Sequence, residues 1–326
     1  MGDADDRQAD ERAVERIHSD YEHGASWLAR AAVRDLARVA AAKDERAGGA
    51  EERLARVRAL GQSLAQARPS MATIANAVAR AWWAGASTAG GAQAQLAALR
   101  EEVRTIDDGW ESASAGMTNW ARQAVTGAVY TLSRSGSVER TLAALAEERA
   151  TSDTSDTSDT SDTSEPLRVI ISESRPGGEG VALARALASE GAQVTLIADA
   201  AVVSFIEQAA LVIVGADSVR ADGSVVNKVG THTLALVARA AGRPVYALAE
   251  RLKITAASYP LVIEETRPEE LLPAPTPGVT PRNVYFDVTP PRLIASVVTE
   301  SGPVDAEGIA RLAEEAERAY RSLMGS

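Results

Sequence analysis

The chain has 326 residues and a formal net charge of −11 at pH 7, with 45 Asp and Glu against 34 Lys and Arg. This length accommodates two domains with complete hydrophobic cores, and the acidic surplus argues against a nucleic-acid surface, which needs clustered basic side chains. With no cysteine and three histidines, the composition excludes disulfides and thiolate ligands and argues against a histidine-rich metal site.

The distribution of apolar and charged residues predicts a cytoplasmic protein. No apolar run approaches the about 18 residues that a membrane span requires. The acidic start Met1–Asp6 is unlike a secretion or transit signal. We therefore expect no membrane contact and no direct nucleic-acid binding, and the sequence predicts neither a cofactor nor a metal.

Residues 1–120 are predicted to form an N-terminal helical domain. Apolar side chains recur at three- and four-residue spacings from residue 10 to about 48. His23–Ser26 is expected to interrupt this pattern, because a glycine inside a helix costs about 1 kcal/mol. Further helices are predicted over 51–66, 72–83 and 93–114, and Arg68 lies just before one of these helix starts.

Residues 121–326 are predicted to form a Rossmann-like domain. Strands are expected over 127–132, 167–171, 193–197, 211–214 and 244–248, alternating with helices that end at 148 or span 179–190, 200–208 and 231–241. This alternation is typical of a doubly wound parallel sheet in an α/β protein. An amphipathic helix is expected at 306–323. Four Thr-Ser-Asp triplets within 151–164 bury too little apolar surface to become ordered, so we predict a flexible insertion there.

Three strand-to-helix loops are predicted to open on the same carboxyl edge of this sheet. They contain Ser133–Ser135, Ser172–Gly180 and Gly215–Asp217. Open α/β sheets bind ligands at that edge, and the hydroxyl, glycine and basic residues of these loops suit a phosphorylated small molecule. Each loop alone also has a plainer explanation, because hydroxyls commonly cap helices. The loops match neither the nucleotide triphosphatase motif nor the dinucleotide fingerprint.

The segment 211–231 carries the strongest single signal. Four apolar residues predict a buried strand that stops at Gly215, and Asp217 would project from its carboxyl end. Asn227 and Lys228 follow shortly before a predicted helix, where anions bind readily. The alternative is that Asp217 only shapes the turn and that Lys228 is solvated. From the segment alone, both interpretations remain open.

Six segments of the chain together resemble one protein family. They are His23–Ser26, Ala67–Met71, Ser133–Ser135, Glu173–Pro176, Gly215–Asp217 with Asn227–Thr231, and Asn283–Pro291. In them the chain is similar to the alpha/beta/delta regulatory-subunit family of translation initiation factor 2B, which also contains ribose-1,5-bisphosphate isomerase and methylthioribose-1-phosphate isomerase. The last two segments are the most specific, because long strings at fixed spacing rarely arise by chance.

The resemblance implies a helical domain packed on a Rossmann-like domain, with a phosphorylated sugar or nucleotide in the crevice between them. It also implies a homo-oligomer, a dimer or larger, or association with related subunits. Asp217 would match the catalytic aspartate of the isomerases. The residues that would contact the ligand are Gly24, Ala25, Arg68, Ser133, Arg134, Ser135, Arg175, Asp217, Asn227 and Lys228.

Two departures from the isomerases bear on catalysis. The isomerases carry a cysteine where this chain has Ser133, and an alcohol is far less acidic than a thiol with an ordinary pKa near 8.5. The segment that begins at His23 resembles a segment of the isomerases that reads Arg-Gly-Ala. With histidine in place of the arginine, the chain lacks a side chain that can donate two hydrogen bonds to a phosphate.

These departures favour a non-enzymatic protein that resembles the initiation-factor regulatory subunits and binds a sugar phosphate or nucleoside monophosphate. The alternative is an aldose–ketose isomerase for a phosphorylated pentose, with Asp217 as acid–base residue and Ser133 or a water assisting. A third hypothesis is a structural subunit with an empty pocket.

Overall fold

A computed structural model of the protein describes residues 2–20, 23–42, 49–152, 165–263 and 265–325. Two compact units are present. The first comprises 1–112, 251–262 and 308–326, and the second comprises 113–250 and 263–307. The predicted Thr-Ser-Asp insertion lies outside the described residues from 153 onwards, and residues 151–152 belong to the end of a helix.

The first unit is helical. Its helices are α1 (Gly2–Ser19), α2 (Ala25–Ala41), α3 (Gly49–Ala67), α4 (Ala72–Ala86) and the first part of α5 (Ala92–Ala124). Leu28, Ala32 and Leu36 recur every four residues along α2 and are fully buried in one cluster, as expected for the apolar stripe of a surface helix. The predicted break between the first two helices is confirmed at its position.

The C-terminal part of the chain also contributes to this helical unit. A helix at Ala306–Met324, which we number α10, places Ala319 and Leu323 in the same buried cluster as α2 and α4. The sequence assigns all of 121–326 to one domain, whereas the structure groups 251–262 and 308–326 with the helices. The reason is that the apolar side of α10 completes the helical core.

The second unit contains a seven-stranded sheet. Its strands are β1 (Val129–Leu132), β2 (Arg168–Ser172), β3 (Gln193–Ile197), β4 (Leu211–Gly215), β7 (Val245–Leu248), β9 (Ser296–Thr299) and β10 (Gly302–Val304). Their order is β10-β9-β7-β4-β1-β2-β3, parallel except for β10. Every residue of β4 is buried, as expected of a central parallel strand covered on both faces. The predicted fold class is confirmed.

Helices connect these strands. They are α6 (Gly136–Ser152), α7 (Glu179–Ser189), α8 (Val202–Phe205) and α9 (Thr231–Ala240). The single helix predicted at 200–208 is instead the short α8 flanked by 3₁₀ turns at Asp199–Ala201 and Ile206–Gln208. β-Branched residues disfavour a helix at this place, and short connectors often take the tighter 3₁₀ form.

The sequence does not predict a small antiparallel sheet in the second unit. It consists of β5 (Ser218–Val219), β6 (Val225–Lys228) and β8 (Phe286–Thr289) in the order β5-β6-β8. Asn227 pairs with Asp287, and Lys228 pairs with Phe286. Asn227 and Lys228 are therefore strand residues rather than part of a loop before a helix. Within the described residues, no helix is both long and apolar enough to cross a membrane.

Candidate active site

The three predicted loops do meet at one edge of the large sheet. β1 is hydrogen-bonded in parallel to β2 on one side and to β4 on the other. The chain proceeds from β1 through β2 to β3 on one side, and from β4 through β7 to β9 on the other. The carboxyl ends of β1 and β4 therefore form the switch point at which open α/β sheets place their ligands.

Gly215 brings two of these loops into close contact. A Cβ added at Gly215 would lie 2.4 Å from Ser135 Cβ and 3.5 Å from Asn227 Oδ1. Only glycine permits this approach. Ser135 Oγ is buried and makes no hydrogen bond within the described part of the chain. The arrangement thus places a serine hydroxyl and an asparagine amide beside the end of β4.

The β1 and β2 loops are joined through a serine and an aspartate. The Ser133 N–H donates to Ser174 Oγ at 2.6 Å. The Ser174 and Arg175 N–H groups donate to the two oxygens of Asp199 at 2.8 and 2.7 Å. Ser133 and Ser174 adopt φ angles of 59° and 67°, which are uncommon for non-glycine residues and tend to cluster at functional sites. Asp199, which follows β3, therefore fixes the backbone of the β2 loop.

Lys228 is held between a carboxylate and an aromatic ring. Its Nζ donates to Glu179 Oε1 at 2.5 Å and lies 3.2 Å from the centroid of the Tyr285 ring. The Lys228 side chain is only 4% exposed. Burial lowers the pKa of Lys228, while the hydrogen bond and charge of Glu179, and the charges of Asp217 and Glu270, act in the opposite direction. The predicted alternative of a solvated Lys228 is therefore wrong.

Tyr285 shares the same carboxylate oxygen. Its hydroxyl donates to Glu179 Oε1. Burial, with the nearby charge of Glu179, raises the pKa of Tyr285, so the phenol keeps its proton and remains a donor. A Cβ on Gly177 would lie 2.6 Å from Glu179 Oε1 and 2.8 Å from the Tyr285 hydroxyl oxygen, so a larger residue there would displace these two side-chain ends.

Asp217 is half-buried in the connection from β4 to β5. Its backbone N–H donates to the Val226 carbonyl at 2.9 Å, which ties the connection to β6. Its carboxylate is near enough to Lys228 for its charge to raise the pKa of that lysine. The structure thus places Asp217 at the predicted strand end and in the electrostatic neighbourhood of Lys228.

The N-terminus of α9 already holds a carboxylate. The N–H groups of Gly230 and His232 donate to Asp287, at 2.8 Å and at 3.1 to 3.2 Å. Asn227 Nδ2 donates to Thr231 Oγ1 at 2.9 Å in the first turn of the helix. Burial raises the pKa of Asp287, and the two backbone hydrogen bonds partly offset this. An anion from solution would meet Asp287 at this helix end rather than open N–H groups.

The two arginines predicted for these loops are exposed. Arg134 forms two hydrogen bonds with Glu139, at 2.6 and 2.9 Å. Arg175 donates to the Glu270 carbonyl at 2.9 Å. Both guanidinium groups are therefore engaged with the chain itself, and ligand binding by either stays a prediction.

The predicted residues of the helical unit lie at the start of α2 and before α4. Gly24 precedes the first residue of α2, Ala25, and its carbonyl accepts the Trp27 N–H at 3.0 Å. Arg68 is 4% exposed and donates to the Asp20 carbonyl at 2.5 Å. The ligand contacts expected for Gly24, Ala25 and Arg68, and a crevice between domains, stay predictions.

His23 lies just before α2, where the sequence resemblance implies an arginine in the isomerases. Its ring stacks on Trp27 with 3.7 Å between centroids, and its Nδ1 lies 2.8 Å from Asp20 Oδ2. The imidazole thus has local partners in α2 and in the segment before it.

Four residues of the site were not singled out from the sequence: Glu179, Asp199, Tyr285 and Asp287. Asp199 obeys the same rule that selects Asp217, because it follows the carboxyl end of a parallel strand. The positions of Tyr285 and Asp287 depend on the pairing of β6 with β8, which no local pattern predicts. Among the described residues, no cluster of three or more His, Cys, Asp or Glu could hold a metal ion.

The fold and this edge define a Rossmann-like α/β protein with a candidate site at the switch point of its sheet. A sequence profile of the Initiation factor 2 subunit family matches residues 21–306. The chain therefore belongs to this family.

Two curated relatives and one solved structure are similar to the chain. A ribose 1,5-bisphosphate isomerase of Haloterrigena turkmenica is 37% identical over 46% of this chain and 50% of its own length. A methylthioribose-1-phosphate isomerase of Desulforudis audaxviator is 33% identical over 79% of this chain and 76% of its own length. The crystal structure of a Pyrococcus horikoshii translation initiation factor eIF-2B superposes with a TM-score of 0.70 and 26% identity, covering 91% of this chain and 96% of that one.

The extent of these matches differs between the relatives. The chain spans about half the length of the curated ribose 1,5-bisphosphate isomerases that it matches. The match to the methylthioribose-1-phosphate isomerase covers three quarters of that relative.

Proposed function

We propose that the protein is an aldose–ketose isomerase acting on a phosphorylated pentose, with Asp217 as its acid–base residue. The observation that carries this proposal is a half-buried carboxylate, Asp217, just beyond β4 at the switch point of a parallel sheet and close enough to the buried ammonium of Lys228 to influence its pKa. The names of the relatives support the isomerase alternative better than the regulatory-subunit hypothesis favoured by the sequence.

The chemistry explains why a carboxylate suits this place. In an aldose phosphorylated on its anomeric oxygen, isomerisation breaks the bond between C1 and the ring oxygen. The ring oxygen gains a proton, one hydrogen moves from C2 to C1, and the 2-hydroxyl loses its proton. Atoms balance, because one proton is delivered and one is taken up. A carboxyl group can hold a proton between these transfers, and such assistance is worth about 10²- to 10⁴-fold in rate.

The other residues at this edge supply donors for the substrate. Lys228 would meet a phosphate or hydroxyl oxygen with its ammonium, and Ser135 Oγ is a buried hydroxyl beside Gly215. Ser133 takes the position that the resemblance assigns to a cysteine, so we propose that its hydroxyl orients a water or a sugar hydroxyl. Asn227 is engaged with Thr231 and would act through its amide oxygen. Oligomer formation stays a prediction.

The same site supports a second candidate, a binding protein without catalysis. The specific observation in its favour is Ser133, because an alcohol cannot replace a thiol as a tunable proton carrier. In this case Asp217 would bind sugar hydroxyls, and the protein would act through partner subunits in the manner of the regulatory-subunit relatives.

Turnover of two sugar phosphates distinguishes the candidates. Ribose 1,5-bisphosphate and methylthioribose 1-phosphate are each incubated with the protein and followed by NMR for appearance of the ketose. We expect wild type to convert at least one substrate and Asp217→Asn to lose about 10²- to 10⁴-fold. Asp222→Asn is the matched control, since Asp222 lies in the β5–β6 turn and its carboxylate bonds only its neighbour Ser224 among the described contacts. It should retain activity.

Absence of turnover with both substrates, or full activity of Asp217→Asn, contradicts the isomerase proposal. Thermal unfolding then separates the remaining candidates, because a ligand at 100 times its Kd stabilises the folded state by about 2.7 kcal/mol. A shift without turnover supports the binding protein. If no phosphorylated sugar or nucleotide raises the Tm, the result contradicts the binding protein as well as the isomerase.

A further inference from the structure

We propose that Glu179 is a positioning residue of this site, which fixes the Lys228 ammonium in place and keeps it charged for the ligand. The inference deepens the proposed function and rests on it, because it takes Lys228 to be the cation that the ligand meets. Glu179 is part of neither the sequence resemblance nor the residues predicted from it.

The geometry around Lys228 leaves its head group little freedom. One oxygen of Glu179 accepts from both Lys228 Nζ and the Tyr285 hydroxyl. The Tyr285 ring lies 3.2 Å from Nζ, within the range of a cation–π contact. Gly177 permits this approach, because a Cβ there would press on both Glu179 and Tyr285. Two segments that are distant in sequence, one with Glu179 and one with Tyr285, therefore hold a single ammonium group.

Glu179 itself retains capacity for a further contact. Its second oxygen, Oε2, is buried and has no hydrogen-bond partner within the described part of the chain. The side chain as a whole is 27% exposed. An ammonium has three N–H groups. Glu179 accepts from one, and the Tyr285 ring covers another side of Nζ, so we assign the remaining donor capacity of Lys228 to an oxygen atom of a ligand.

The electrostatic setting explains why a carboxylate is needed. Burial opposes the charged form of Lys228, and the groups that act on it are Glu179 from α7, Tyr285 before β8, Asp217 after β4 and Glu270 from a 3₁₀ turn. Of these, Glu179 makes the hydrogen bond and has the largest favourable influence on the pKa of Lys228. Without the charge of Glu179, less would offset the effect of burial, and the pKa of Lys228 would fall.

The small number of lysines allows a direct test. The chain contains only Lys43, Lys228 and Lys253, so ¹³Cε-labelled lysine gives three NMR signals, and Lys228→Arg identifies the one from Lys228. The signal is titrated between about pH 6 and 11, a range that brackets the ordinary lysine pKa. Opposite charges within contact distance shift a pKa by about 1–3 units. We therefore expect Glu179→Gln to lower the pKa of Lys228 by about that amount.

Two variants serve as controls for this titration. Tyr285→Phe keeps the ring beneath the ammonium and removes only the hydroxyl, so its Lys228 pKa should change much less. Glu148→Gln removes an exposed carboxylate that pairs with Arg122 and should leave the Lys228 titration as in wild type. A Lys228 pKa in Glu179→Gln equal to that of wild type would overturn the inference.

A second variant protects the test against misfolding. If Glu179→Gln does not fold, Gly177→Ala displaces the Glu179 carboxylate sterically while the charge remains in the protein. A folded Gly177→Ala with an unchanged Lys228 pKa would also overturn the inference, and a lowered pKa would support it.

Ligand binding supplies the functional readout. The Kd of ribose 1,5-bisphosphate and the kcat/KM of wild type are measured across pH, and the alkaline loss of both should occur at lower pH in Glu179→Gln. Equal pH profiles in the two proteins contradict the inference even if wild type is active. If wild type neither binds nor converts the substrate, the proposed function fails, and the Lys228 titration still decides the part played by Glu179.

Discussion

Gly180 offers a stringent test of how the sheet positions α7 and, with it, Glu179. A Cβ added at Gly180 would lie 1.9 Å from the backbone oxygen of Ser172, at the end of β2. Ordinary van der Waals contact begins near 3.4 Å, so Gly180→Ala requires α7 and β2 to separate by about 1.5 Å. Backbone cannot rotate away as a flexible side chain can.

The expected magnitude follows from two opposing effects. Overpacking a well-filled site costs about 1–3 kcal/mol, and a clash with backbone belongs at the upper end of that range. Alanine in place of glycine returns about 1 kcal/mol through helix propensity. We therefore expect Gly180→Ala to lower the free energy of unfolding by about 2 kcal/mol, which corresponds to a Tm lowered by about 4–8 °C.

Gly109 provides the matched control in α5. A Cβ there meets nothing within 4 Å, so Gly109→Ala should gain about 0.5–1 kcal/mol from propensity alone. The two variants are compared by thermal unfolding and by urea titration. A Gly180→Ala protein as stable as wild type, or one stabilised to the same extent as Gly109→Ala, would refute the close packing of α7 on β2. Misplacement of Glu179 by about 1 Å should also reduce kcat/KM by about 10²-fold.

Two further predictions concern the loops that follow the other strands. Ser133→Cys should raise the rate of ketose formation in the NMR assay by about 10-fold or more, because a thiol carries protons near neutrality far better than an alcohol. An unchanged rate would mean that the side chain at position 133 does not carry the proton. Asp199→Ala leaves the N–H groups of Ser174 and Arg175 without their acceptor. It should lower the free energy of unfolding in urea by about 2–4 kcal/mol, since hydrogen bonds to a charged group contribute about 1.5–3 kcal/mol each. Asp199→Asn keeps an acceptor oxygen and should lose less stability, and equal losses in the two variants would contradict the role of the charge.

Much of the fold could be predicted from local patterns. The strand at 193–197 is found within the predicted bounds, and β4 is the buried strand that four consecutive apolar residues indicate. The helix predicted over 93–114 extends to Ala124. Gly116, just beyond the predicted end, lies where a Cβ would be 1.8 Å from the Glu300 carbonyl oxygen. A glycine that serves packing can therefore resemble a helix terminator in sequence.

The candidate site could be predicted only in part. Its loops follow from strand order, whereas the clamp on Lys228, formed by Glu179 and Tyr285, follows from contacts between distant segments. The switch-point loops depend on strand order, which alternation of strands and helices strongly constrains. The clamp on Lys228 depends on Glu179 from one helix and Tyr285 from a distant segment. A lone glutamate at a helix start has an ordinary explanation as a favourable charge for the helix dipole, so its sequence position gives no indication of Lys228.

The pairing of β6 with β8 has a consequence for the order of folding. The Gly230 N–H reaches the Asp287 carboxylate across 57 residues of chain, whereas the β2 and β3 strands are joined through the adjacent helix α7. Contacts between distant residues pay a larger loop-closure entropy and form more slowly. We therefore expect the neighbouring strands β2 and β3 to pair before β6 and β8 do. A chain interrupted before residue 283 would contain Lys228 and Glu179 but neither Tyr285 nor Asp287, so the contacts that enclose the Lys228 ammonium and occupy the start of α9 would be missing from it.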